Sequence, residues 1–133
     1  MWDTGSGALF LESAACSTCV GNKFNFHLSS TFAYVSPAAY DTVLYLDGTT
    51  LYGQISTDRA CPVTGNANAC ANTYQFVNLT QQSGLRTYED GILGMWCGNK
   101  SGYSKTEMFM PAMKATSDIA EETFSFYLTG LSG

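Results

Sequence analysis

Residues 42–55 constrain the fold more than any other part of the chain. Two strand-like runs, Val43-Leu44-Tyr45-Leu46 and Thr50-Leu51-Tyr52, are separated around Asp47-Gly48. Asp-Gly favours a type I′ turn, whose two central residues need positive φ; glycine reaches it freely and aspartate at modest cost. A β-hairpin is expected here, and Gly53 marks a close backbone approach. The rest of the chain repeats the theme. Ala8-Leu9-Phe10-Leu11 is an apolar run after a Gly/Ser turn and reads as a buried strand. Residues 16–23 read as loop, and 24–34 alternate weakly around a turn at Ser29-Ser30-Thr31. Period-two alternation over 74–80, a turn and short buried strand over 88–95, and a last run over 123–129 complete the strands. Residues 105–116 read as a short helix whose start Pro111 limits or kinks, and Ser117-Asp118 would cap a second through Glu122. Short strands with spaced turn signals point to an all-β barrel or sandwich.

The chain of 133 residues is one domain's worth, 1–133, and long enough to bury a core. With 45% hydrophobic and 14% aromatic residues it is expected to be ordered and globular. Six basic against eleven acidic residues give a net charge of −5, and no Lys/Arg cluster exists to neutralise a polyanion, so nucleic acid is excluded as a partner. No apolar run reaches membrane-spanning length, so no membrane partner is expected. Five cysteines point to an oxidising compartment. Local pairs, Cys16 with Cys19 and Cys61 with Cys70, are the simplest arrangement and leave Cys97 odd, but spacing alone does not fix the pairing. Asn78-Leu79-Thr80 and Asn99-Lys100-Ser101 are formal glycosylation sequons, meaningful only in an exported chain. No signal peptide is visible, so any leader and first strands are expected to lie outside this chain, or never to have existed.

Asp3-Thr4-Gly5-Ser6 follows Trp2 and precedes Gly7-Ala8-Leu9-Phe10-Leu11. Alone it reads as an Asp opening a Thr-Gly turn. Further segments follow in a fixed order: Phe24-Asn25 through Ser29-Ser30-Thr31-Phe32, then Tyr45-Leu46-Asp47-Gly48-Thr49 with Gly53 eight positions after the Tyr, then Asp90-Gly91-Ile92-Leu93-Gly94, then Phe124-Ser125-Phe126-Tyr127-Leu128. Together they resemble the N-terminal lobe of the pepsin-like aspartic proteases over nearly the whole chain, with a flap closest to the nepenthesin-like branch. The resemblance implies an all-β lobe built on a psi-loop β-barrel with one or two short helices, the second lobe being absent. It makes Asp3 the catalytic carboxylate, Thr4, Gly5 and Ser6 the support of its loop, and Tyr45, Asp47, Gly48 and Thr49 the substrate-binding flap. Leu46 replaces the family's usual Gly, Phe10 stands where many members carry Trp, and Cys97 is not part of the motif. A second Asp-Thr-Gly or Asp-Ser-Gly does not occur.

Several residues have plainer readings. Asp90 is expected to serve a turn or cap. His27, the single histidine, lacks a Gly-x-Ser-x-Gly elbow and reads as a surface or core residue. Cys16-Ser17-Thr18-Cys19 lacks the second matched pair zinc would need and the βαβ context of a redox motif, so a structural disulfide is preferred. Met108, Met110 and Met113 read as core. The function implied is an aspartic endopeptidase half-site hydrolysing polypeptides, needing no metal or organic cofactor. Its partners would be the missing C-terminal lobe or a second copy of the chain, in a secreted or lysosome- or vacuole-like setting. The alternative is a non-catalytic peptide-binding or inhibitory module. An apolar face is expected where a second lobe would dock.

Overall fold

The computed structural model describes residues 1–62, 70–96, 105–116 and 119–127. Its strands are β1 (Trp2–Asp3), β2 (Leu9–Glu12), β3 (Ala33–Tyr34), β4 (Tyr40–Leu44), β5 (Thr50–Ala60), β6 (Ala71–Ser83) and β7 (Gly91–Gly94). A 3-10 turn covers Phe26–Leu28, and one α-helix, α1, spans Phe109–Thr116. The seven strands form one mixed sheet in the order β1-β7-β2-β6-β5-β3, with β4 paired to β5. β7 lies between β1 and β2, parallel to the first and antiparallel to the second, which is the expected psi-loop. The architecture is the mostly β lobe expected, although the sheet stays open among the described residues instead of closing into a barrel.

Side chains of the central strands alternate between two cores. Phe10, Leu51, Val77, Leu79, Leu85 and Ile92 form one, with Val43 and Tyr45 packed against it. Tyr74, Phe76, Met95, Phe109 and Met113 form the other, against which Met110 also packs. The Met cluster is thus core, as expected. α1 tolerates Pro111 because it is the third helical residue, where the backbone N–H has no intrahelical acceptor to lose. Gly53 sits at a shift in the β5–β6 register, and a Cβ there would fall 2.4 Å from the Asn78 carbonyl oxygen. This is the close approach that the isolated glycine announced.

Two disulfides join Cys16 to Cys19 and Cys61 to Cys70, the local arrangement; Cys97 lies outside the described residues, as do Asn99, Ser117 and Asp118. Two expectations fail. Residues 119–122 do not form a second helix, and 123–127 pair with no described strand, Leu128 and Thr129 lying outside the described residues. Alternation alone makes a strand only where a neighbour offers its backbone groups, and here Phe126 and Tyr127 face solvent. No helix among the described residues is long and apolar enough to cross a membrane.

Candidate active site

The Asp3 loop is built by a backbone crossing. β1 pairs with β7 in the register Trp2 to Leu93 and Asp3 to Gly94. Beneath the loop, the Gly94 amide donates to the Ala8 carbonyl (2.9 Å), Met95 to Asp3 (2.6 Å) and Trp96 to Ser6 (2.9 Å). A Cβ on Gly94 would lie 2.6 Å from both the Ala8 nitrogen and the Ser6 oxygen, so only glycine lets the two segments meet. Above the crossing, the Gly5 amide donates to Asp3 Oδ1 at 2.9 Å, which fixes the half-buried carboxylate on its loop. Thr4 is exposed and Ser6 is buried.

Opposite the loop stands the β4–β5 hairpin. The Gly48 amide donates to the Tyr45 carbonyl (3.0 Å) and the Tyr45 amide to the Thr49 carbonyl (2.8 Å), closing a loop of Leu46, Asp47 and Gly48. Gly48 has φ +89°, whereas Asp47 is not in the positive-φ region. The expected type I′ turn is therefore not formed. Leu46 enters the loop and makes it a three-residue connection, which takes a type I turn followed by a left-handed glycine. Asp47 Oδ1 accepts from the Thr49 amide at 2.9 Å, and that bond is the main reason its carboxyl is held below the ordinary aspartate range. The Tyr45 hydroxyl donates to Ser6 Oγ at 3.4 Å, so the flap reaches the Asp3 loop directly. Burial pushes the Tyr45 phenol up, opposed by the Ser6 bond, and the Asp3 and Asp47 charges push it further.

Asp3, Tyr45, Asp47 and Thr49 line one cavity of about 360 Å³. Its far wall comes from Leu85, Arg86 and Glu89, on the segment joining β6 to β7, and from Ile92 of β7. Sequence reasoning missed that wall except for Ile92, which it placed only as packing. Gly84, at φ +106° and so close to Thr49 that a Cβ would lie 2.5 Å from its Oγ1, was the available signal. Asp90 does not line the cavity and accepts from the Asn22 backbone amide (2.8 Å) and from Asn22 Nδ2 (3.0 Å), a loop-anchoring role. Glu12, which the sequence did not single out, is fully buried and accepts from the amides of Val20 (3.3 Å) and Gly21 (2.6 Å). His27 is exposed beside the Phe26 ring and does not line the cavity. A second cavity, of about 220 Å³ and lined by Leu9, Leu11, Phe24 and Phe76, contains none of the Asp3-loop or flap residues. No group of three or more His, Cys, Asp or Glu side chains able to hold a metal occurs among the described residues.

A family model described as eukaryotic aspartyl protease matches residues 1–132. The match is to the family as a whole and does not support the nepenthesin-like branch. No curated protein matches the chain.

Proposed function

The chain belongs to the eukaryotic aspartyl protease family, and from that premise we propose that it forms one half of an aspartic endopeptidase site. Water attack on a peptide bond needs one carboxylate as base and a second, protonated, as acid; the shared-proton dyad of aspartic proteases is the established example. Asp3 supplies the first. The second comes from another Asp-bearing lobe or from a second copy of the chain, since the sequence holds a single Asp-Thr-Gly. Thr4, Gly5 and Ser6 support the Asp3 loop. Tyr45 and Asp47 to Thr49 cover an extended polypeptide and exclude water from the scissile bond. The two disulfides fit a secreted or lysosome-like compartment.

The observation that carries this reading is one cavity lined by both Asp3 and the flap residues. The single Asp-Thr-Gly favours one rival: a peptide-binding or inhibitory module that keeps the groove without the chemistry. Acid-pH digestion of an unfolded protein by the purified chain separates them. Cleavage that is blocked by a statine-type inhibitor and lost in Asp3→Asn supports the protease half-site. Inhibitor binding without cleavage at any protein concentration supports the module. Cleavage unaffected by Asp3→Asn ends the assignment of Asp3.

A further inference from the structure

The far wall of the Asp3 cavity is held from behind. β2 pairs with β6 only as far as Glu12 opposite Leu79, so no strand among the described residues serves the next stretch of β6 on that side. The chain just past β2, the loop closed by Cys16 and Cys19, takes the place of one. The Ser17 amide donates to the Thr80 carbonyl at 3.4 Å, and the Gln82 amide donates to Thr18 Oγ1 at 2.7 Å. Gln82, the buried penultimate residue of β6, then joins this loop to the wall. Its Nε2 donates to the Thr18 carbonyl at 3.1 Å, and its Oε1 accepts from the Leu85 amide at 3.0 Å. Leu85 lines the cavity with Arg86 and Glu89. The Glu89 amide donates to the Arg86 carbonyl at 2.9 Å, and Glu89 Oε2 accepts from the Arg86 amide at 2.8 Å. The turn after Leu85 is therefore closed on itself, and its position is set where it leaves Leu85.

We infer that Gln82 is a positioning residue for peptide binding: its side-chain amide relays the place of the Cys16–Cys19 loop to Leu85 and so sets the width of the cleft at that wall. The inference rests on the aspartyl protease reading, because it concerns a wall of the same groove. An amide is the group that does this. The Thr18 carbonyl needs a donor and the Leu85 amide needs an acceptor, so one orientation of the Gln82 head satisfies both and the flipped one satisfies neither. The bond to Leu85 is buried, so a Leu85 amide left without it is costly and the wall shifts to find another partner. The Asp3 loop is supported separately, by the bonds from Gly94, Met95 and Trp96. Losing the relay therefore weakens the grip on a peptide while leaving the carboxylate in place.

The test measures binding of one statine-type peptide to the whole chain by calorimetry and amide chemical shifts, near neutral pH, in the unmodified protein and three variants. Gln82→Met matches the side chain in length and loses both bonds. Gln82→Glu keeps an acceptor for the Leu85 amide and loses the donor to Thr18. Tyr74→Phe, in the other core, loses the bond to the Glu107 carbonyl and controls for lost stability alone. Gln82→Met is expected to weaken binding by about 2- to 30-fold and Gln82→Glu by less. The Leu85, Arg86 and Glu89 amide resonances should move in both, the Gly5 resonance should stay, and Tyr74→Phe should bind as the unmodified chain does. If Gln82→Met does not fold, Gln82→Glu carries the test alone. Unchanged affinity in a folded Gln82 variant, or a loss matched by Tyr74→Phe, overturns the inference and leaves the groove reading intact. Failure of the unmodified chain to bind the peptide removes both.

Discussion

Gly94 and Gly48 offer the same substitution with opposite physics, which makes them a sharp test of how the Asp3 loop is held. Gly94→Ala puts a Cβ 2.6 Å from the Ala8 nitrogen and the Ser6 oxygen and 2.7 Å from the Gly7 carbonyl carbon. All three are backbone atoms, so no side chain can swing aside. Forcing a methyl into such a contact costs about 1–3 kcal/mol in strain. If the crossing opens, the bonds from Gly94, Met95 and Trp96 to the loop carbonyls weaken, at about 1 kcal/mol each. The combined loss is about 4–6 kcal/mol against a domain stability of about 5–15 kcal/mol. Gly48→Ala meets no atom within 4 Å and pays only for φ +89°, about 1–2 kcal/mol. Urea unfolding midpoints at unchanged slope measure both. The Gly5 amide resonance reports whether the Asp3 carboxylate has shifted, and it should move only in Gly94→Ala. A Gly94→Ala protein no less stable than Gly48→Ala would refute the crossing as the support of the loop.

Glu12→Ala should cost about 2–4 kcal/mol in the same assay because the Val20 and Gly21 amides lose their acceptor. Glu12→Gln, with one carbonyl oxygen left, should recover part; a neutral Glu12→Ala would contradict the clamp. Removing the Cys61–Cys70 bridge, which closes the longer loop, should destabilise by about 3 kcal/mol and removing Cys16–Cys19 by about 2 kcal/mol, the order being checked by thermal unfolding. Burial raises the pKa of Tyr45 and of Tyr74 in the fold, with the Glu107 charge adding to the second. The unfolded chain then releases these protons first. Stability is complete below the ordinary tyrosine range and is lost as pH climbs through it toward the folded-state values. Phenolate absorbance should show a late-ionising component that Tyr45→Phe and Tyr74→Phe diminish, and uniform titration of all eight tyrosines would exclude it. Leu9, Leu11 and Leu93 stay half-buried beside the apolar cavity, so the purified chain should self-associate, and a clean monomer by light scattering would count against that.

What could be read from the sequence was whatever is encoded locally. Asp47-Gly48 announced a hairpin because turn chemistry sits in adjacent residues, and Gly53 announced a close approach because nothing else fits there. The turn type was misread since Leu46, an ordinary residue, lengthened the loop without any local mark. Residues 123–127 carry a strand pattern but no described neighbour, and pairing is decided by distant chain. The far wall of the cavity escaped for the same reason: Leu85, Arg86 and Glu89 share no motif with Asp3, and only the β6–β7 connection brings them across from it. Glu12 escaped because one carboxylate in an apolar run does not say which amides it will meet.

The flap and the far wall are the two ends of one ladder, and that limits how the cleft can open. β5 and β6 pair from Thr50 opposite Ser83 inward, so the chain leaving the flap and the chain entering the wall begin from adjacent residues. Thr49 is buried and pressed by Gly84, which ties the flap base to that wall. Swinging the whole hairpin would have to break this ladder. Only the tip, Tyr45 to Gly48, is free of β5–β6 pairing, and it is held to the Asp3 loop by the 3.4 Å bond from Tyr45 to Ser6, a weak one at that length. Movement of the hairpin is therefore confined to the tip. Such a movement carries Asp47, which sits in the turn, and breaks the contact between Tyr45 and Ser6.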